Sequence, residues 1–107
     1  LSDLHSTALA SLGSQVSAVD LSGHIMGDAV EMLDALNAKM EGSDTIIVLC
    51  ARLVRLDFLA AGALLNWVSA RQAEGRQVQF KDLHRLVAVF FNVIGINEHA
   101  KVTARSD

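Results

Sequence analysis

The sequence predicts an α/β fold in which helices pack on a four- to five-stranded mixed sheet, with the element order β-α-β-α-β-α-β. Residues 45–50 are apolar and rich in β-branched side chains, which is typical of a strand buried on both faces. The segment after Asp57 is rich in Ala and Leu, which is typical of a helix that begins at an Asp N-cap. Further segments of both kinds alternate along the chain, so the sheet is expected to contain crossover connections.

The N-terminal part of the chain divides into an extension and the start of the domain. Residues 1–15 are assigned to an N-terminal extension or the end of an upstream segment, and residues 16–107 to the domain. Leu4, Ala8 and Leu12 recur at helical spacing, so a helix and a frayed terminus both remain open for this extension. Residues 16–21 alternate in polarity and predict the first strand.

The first helix of the domain is predicted over residues 28–40. Asp28 and Glu31 have the spacing of a capping box. Gly42 is placed to end the helix in a left-handed conformation. The predicted buried stripe consists of Ala29, Leu33, Leu36 and Met40.

The second half of the chain repeats the alternation. A second helix is predicted over residues 58–74 and ends at Gly75, and residues 76–81 alternate as a half-buried strand does. Asp82 is placed to cap a third helix over residues 83–93, which closes at Gly95. A short last strand is expected near Val102.

Composition limits the function classes. The chain of 107 residues has a formal net charge of −3 and no basic block, which counts against a nucleic-acid surface. No apolar run reaches the roughly 18 residues of a membrane span, and no signal-peptide pattern is seen. The single Cys, Cys50, excludes an internal disulfide and favours a reducing, cytoplasmic compartment. Because the chain begins at Leu1, whether it is part of a longer protein stays open.

No constellation of residues predicts catalysis, a metal or a cofactor. Cys50 lies in the predicted buried strand, where a reactive thiolate is not expected. The N-terminus of the helix after Asp57 would attract an anion, but Asp57 already supplies a carboxylate there and Phe58 makes the surroundings of this helix start apolar. The carboxylates of the first helix are interpreted as a helix cap and a solvated face, not as a catalytic acid/base pair; they are Asp28, Glu31 and Asp34. The four histidines have no pair at metal-ligand spacing and are His5, His24, His84 and His99.

An ordered set of segments resembles a STAS domain, the domain of anti-sigma-factor antagonists and of sulfate-transporter tails. The set comprises Leu21-Ser22-Gly23-His24-Ile25, a capped helix, a buried strand, Asp57-Phe58-Leu59-Ala60-Ala61-Gly62-Ala63-Leu64-Leu65, Glu74-Gly75-Arg76-Gln77-Val78 and Ile94-Gly95-Ile96. The family's usual string at the second helix reads roughly Asp-Ser-Ser-Gly-Leu-Gly-Ala-Leu-Leu. The resemblance covers residues 16–104 and implies a non-catalytic regulatory module of bacterial type.

The chain departs from the family at the helix start. In regulatory members a Ser of the Asp-Ser-Ser turn is phosphorylated by a partner kinase that is also an anti-sigma factor. Phe58 and Leu59 occupy the two matching positions and carry no hydroxyl. The resemblance therefore implies an interaction module without this phosphate switch, whose partner-binding residues are Asp57, Phe58, Leu59 and Gly62.

The third helix predicts a second contact surface. Residues 86–94 are apolar except for Asn92, whereas a surface helix normally leaves one face polar. We expect a partner protein or a second copy of the chain to cover it, and residues 1–12 are the competing cover. The residues expected at this partner or dimer surface are Val87, Phe90, Phe91 and Ile94.

Three functional hypotheses follow. The first is a protein-interaction module that binds an anti-sigma or kinase-like protein, or another domain of a parent protein. The second is an accessory subunit or domain of a transporter, which binds a lipid or another hydrophobic ligand through the apolar turn. The third, a small enzyme that uses Cys50 and a His, is disfavoured by the predicted burial of Cys50.

Overall fold

Four strands and three helices alternate along residues 16–105, the part of the chain that this computed structural model describes. The predictions for residues 1–15 lie outside it. In chain order the elements are β1 (Val16–Ile25), α1 (Val30–Met40), β2 (Thr45–Leu56), α2 (Phe58–Ala73), β3 (Gln77–Leu83), α3 (Arg85–Ile94), a 3-10 turn (Ile96–Glu98) and β4 (Lys101–Ala104). The predicted α/β class, element order and last strand are confirmed.

The four strands form one sheet in the order β1-β2-β3-β4, and all three neighbouring pairs are parallel. The prediction of a mixed sheet is therefore wrong for the described residues. The physical reason is that each connection carries the chain from the carboxyl end of one strand back to the amino end of the next, so neighbouring strands run in the same direction. Crossovers between parallel strands are almost always right-handed, so this strand order predicts all three helices on one face. The contacts agree, because α1 meets α2 through Asn37 and Trp67, and α2 meets α3 through Phe58 and Phe90.

The core lies between that face and the helices. Ile46, Val48 and Phe80 from the strands and Leu36 and Leu64 from the helices are fully buried in one hydrophobic cluster. The opposite face of the sheet is polar on β3, at Gln77, Gln79 and Lys81, whereas on β2 it carries the half-buried apolar residues Ile47 and Leu49. The arrangement leaves the carboxyl ends of the strands, where the helices begin, as the edge at which loops and helix starts meet.

The second half of β2 is irregular because it contains two bulges. Asp20 pairs with Leu49 but Ser22 pairs with Arg52, so β2 has one extra residue there. A second extra residue follows, since Gly23 and His24 pair with Leu53 and Arg55.

The bulges change which side chains of β2 are buried. Cys50, Leu53 and Leu56 are buried at every third position, and the residues between them are exposed. In the first half of the strand Ile46 and Val48 are buried, whereas Ile47 and Leu49 on the other face are half-buried. The predicted burial on both faces is therefore partial there and absent from the second half.

The predicted capping box of α1 is wrong. Ala29 adopts a left-handed conformation with φ 57° immediately before the helix, and no side chain caps the helix. This turn leaves Asp28 one residue too early to be the N-cap, and its Oδ1 accepts only from the Val30 N–H, at 3.4 Å. Gly42 ends the helix with φ 79°, as predicted. The buried side chains of α1 are Met32, Leu36 and Met40, whereas Leu33 is half-buried.

The start of α3 also differs from the prediction. Asp82 lies in β3 with φ 62° and does not cap the helix. The cap is His84, whose Nδ1 accepts a hydrogen bond from the Leu86 N–H at 3.1 Å. Gly95 closes α3 with φ 96°, as predicted.

Candidate functional site

Asp57 joins two connections at the carboxyl edge of the sheet. Its Oδ1 accepts from the Ala60 N–H at 2.8 Å, which confirms the predicted N-cap of α2. Its Oδ2 accepts from the Gly27 N–H at 3.0 Å, in the loop between β1 and α1. The backbone N–H of Asp57 donates to the Ile25 carbonyl at 3.1 Å. One residue therefore fixes the start of α2 and the preceding βα loop relative to each other.

These hydrogen bonds favour the ionised carboxylate. The Gly27 N–H, and then the Ala60 N–H, lower the pKa of Asp57 below its ordinary value, with a smaller contribution from Arg55. Since the folded pKa is below the unfolded one, the stabilisation is present above the unfolded pKa of about 3.9 and is lost as the pH falls through the folded pKa.

Replacing Asp57 with Ala should therefore lower the midpoint of thermal unfolding by several degrees at pH 7, because both hydrogen bonds are lost. The difference from the wild type should shrink as the pH falls below about 4. Circular dichroism melts across this pH range measure it. Asp34→Ala, which removes an exposed α1 carboxylate without a hydrogen bond among the described residues, is the control. A destabilisation that does not change with pH would contradict this role of Asp57.

Five exposed apolar side chains form what we call the apolar edge surface: Phe58, Leu59, Leu86, Val89 and Val93. Phe58 and Leu59 open α2 and are 74% and 69% exposed. The other three occupy positions i, i+3 and i+7 of α3 and so form one stripe on that helix. Phe58 contacts α3 through Phe90, with ring centroids 6.3 Å apart, which brings the two groups together.

The sequence placed the contact surface of α3 on a different side of the helix. Phe91 is fully buried and packs edge to face on Phe80, with ring centroids 5.2 Å apart. Val87, Phe90 and Ile94 are half-buried against the core. The three exposed residues of the stripe were not named from the sequence, because a helix that is apolar on all sides does not reveal which side faces the sheet.

The remaining predicted site residue, Gly62, lies within α2 and is half-buried. An added Cβ at Gly62 would meet no atom within 4 Å, so close packing does not require glycine there. Of the four residues predicted at the turn, the structure places Phe58 and Leu59 at the surface and Asp57 beneath them as the anchor.

The chemistry that the described residues offer for catalysis is limited. Burial, and then the nearby Asp82 and Asp20, raise the pKa of the Cys50 thiol to about 12. The thiol is therefore protonated at neutral pH, and its Sγ lies 3.6 Å from the Val48 carbonyl. Within residues 16–105, no group of three or more His, Cys, Asp or Glu side chains could hold a metal ion. None of the helices in this range combines the length and apolar character of a membrane span.

Comparison with known proteins assigns the family. A family model described as Mlab, STAS domain, matches residues 8–103. The chain belongs to the STAS domain family. No curated protein and no solved structure matches it. STAS domains are generally non-catalytic regulatory or interaction modules, and in this STAS domain the turn after β2 presents Phe58 and Leu59 where the family's usual string has Ser.

Proposed function

We propose that this STAS domain is a non-catalytic interaction module that binds a protein partner on the apolar edge surface. The observation that carries the proposal is the exposure of five large apolar side chains, each at least 58% exposed, at the start of α2 and along the outer side of α3. A cluster of exposed apolar side chains at one edge of a small domain is typical of an interaction site. It also provides the aromatic and aliphatic anchors that dominate binding energy in protein interfaces.

Two features support a preformed surface. The Asp57 carboxylate holds the start of α2, and Phe58 rests on Phe90 of α3. A surface that is already ordered pays less conformational entropy on binding. Because residues 57–65 contain no hydroxyl, binding at this turn is not controlled by phosphorylation of its own residues. Control from another domain of a parent protein, or constitutive binding, fits this sequence.

The test introduces charge into the α3 stripe. The double variant Val89→Glu, Val93→Glu should reduce the partner recovered with the tagged chain from source cells at least about tenfold, because two carboxylates would be buried unpaired. Gln77→Glu, Thr103→Glu changes the net charge equally at exposed positions of β3 and β4 and is the control. Quantitative mass spectrometry of the recovered proteins measures the effect.

The stability of the double variant distinguishes this proposal from the alternative in which residues 1–12 of the same chain cover the α3 stripe. Exposed substitutions should change the free energy of unfolding by no more than about 0.5 kcal/mol each. A loss of several kcal/mol would mean that the stripe packs against the chain itself, which would contradict the proposal. Light scattering measures the mass of the wild type in solution and so tests whether the partner is a second copy of the chain. A dimer that dissociates in the double variant would mean that it is.

A further inference from the structure

A groove of about 420 Å³ adjoins the apolar edge surface. One wall is the bulged second half of β2, and the other is the start of α3. Its lining residues are Ala51, Arg52, Leu53, Val54, His84, Leu86, Val87 and Arg105. Leu86 belongs both to this groove and to the apolar edge surface, so the two are continuous.

The groove exists because β3 separates from β2 before β2 ends. Pairing between β2 and β3 ends at Leu49 and Lys81, whereas β2 continues along β1 as far as Leu56. Asp82, with φ 62°, lies at an irregularity of β3 between Phe80 and Leu83, and Leu83 still pairs with Ala104 of β4. Within the described chain, the second half of β2 therefore has no strand neighbour on the β3 side. Arg105 reaches into the gap and donates from a terminal guanidinium nitrogen to the Ala51 carbonyl at 2.8 Å.

The groove is cationic although the chain is acidic. Its lining includes Arg52 and Arg105 but no carboxylate, while the whole chain carries a net charge of −3. The Arg52 side chain is 72% exposed, and its ion pair with Asp20, at 3.7 Å, is solvent-exposed and weak. The Nε of Arg105 is buried and a partner cannot reach it, although the half-buried residue itself lines the groove. An exposed guanidinium such as that of Arg52 is suited to bind a carboxylate.

The geometry points to a protein partner whose contact segment carries a carboxylate beside an apolar side chain, the carboxylate on Arg52 and Arg105 and the apolar group on Val54 and Leu86. This inference rests on the proposed function and specifies its partner. A second copy fits less well, because a two-fold interface would bring the same cationic groove against itself. An anionic membrane also fits less well, since the arginines line a concave groove and the chain's net charge is negative.

The test uses random peptides of about 12 residues, displayed on phage and selected on the full chain. We expect the selected peptides to combine Asp or Glu with adjacent Leu, Ile or Phe. Their affinities, measured by fluorescence anisotropy, should fall about three- to tenfold for Arg52→Gln and remain unchanged for Lys101→Gln, the matched charge change at the start of β4. The difference should decrease in about 0.5 M NaCl, where charges are screened. Arg105→Gln is a second variant, with its fold checked because Arg105 also contacts Ala51.

The outcomes separate the inference from the proposed function. Peptides that lose affinity with Val89→Glu, Val93→Glu but lack acidic residues, or tolerate Arg52→Gln, would overturn the cationic groove and leave the apolar edge surface intact. Selected peptides whose affinity does not change with Val89→Glu, Val93→Glu would contradict both the cationic groove and the proposed function. Binding to phosphatidylglycerol vesicles, but not to phosphatidylcholine vesicles, that requires Arg52 would replace the protein partner with an anionic membrane.

Discussion

Replacing Phe91 with Ala is expected to lower the free energy of unfolding by about 3–5 kcal/mol, as for other buried aromatic residues. Phe91 is fully buried and packs edge to face on Phe80, so the substitution removes both the buried apolar area and an aromatic pair. A loss of this size is a large fraction of the stability of a small domain. Urea denaturation followed by circular dichroism measures it.

Val93→Ala on the same helix is the matched control. Val93 is 74% exposed, so its truncation should change the free energy of unfolding by no more than about 0.5 kcal/mol. The pair of variants determines which side of α3 faces the sheet. Similar losses for both would mean that the outer side of α3 is also packed, and would remove Val93 from the apolar edge surface.

Replacing Leu53 with Ala is expected to cost about 2–5 kcal/mol, because Leu53 is 2% exposed and sits between the two bulges of β2. The next residue, Val54, is 61% exposed and lines the groove, so Val54→Ala should cost no more than about 0.5 kcal/mol. Urea denaturation of the two variants gives the comparison.

This pair tests the bulged register of β2. In a regular strand, residues two apart share a face, so Leu53 could not lie on the same face as both Cys50 and Leu56. A small effect at Leu53 with a large one at Val54 would contradict the bulges. It would also remove the exposed positions from which Arg52 and Val54 line the groove.

The sequence predicts much of the fold because the local signals agree with one another. The apolar run of β2, the Asp57 cap and the glycines that end the helices each have a direct physical meaning, and all appear as expected. The direction of the strands was predicted less well. A mixed sheet and a parallel sheet share the same alternation of helices and strands, and only the crossovers of the described chain distinguish them.

The errors at the helix starts have one cause. Ala29 and Asp82 adopt positive φ angles, which residues other than glycine seldom do. The sequence patterns therefore predicted, wrongly, that Asp28 and Asp82 are the N-caps of the two helices. At Ala29 the turn leaves Asp28 before the N-cap, and at Asp82 the chain turns before His84 caps α3.

Only the turn at the start of α2 could be anticipated from the sequence. The resemblance points to Phe58 and Leu59, which stand where the family's usual string has Ser, and the structure exposes both. The stripe of α3 and the groove beside it depend on long-range geometry. The positions of Arg52 and Arg105 depend on the two bulges of β2 and on the left-handed residue Asp82. The position of Leu86 depends on which side of α3 faces the sheet, and a helix that is apolar on all sides does not reveal this.

Site-specific photo-crosslinking is the most direct test of the claim that the apolar edge surface binds a protein. A benzophenone amino acid is introduced singly at Leu59, Val89 or Val93, and at Gln77 or Thr103 as controls, in the chain expressed in its source cells. We expect the first three positions to give one discrete crosslinked species of the same mass, and the two controls to give none. Equal crosslinking from the control positions, or none from Val89 and Val93 in folded protein, would contradict the claim.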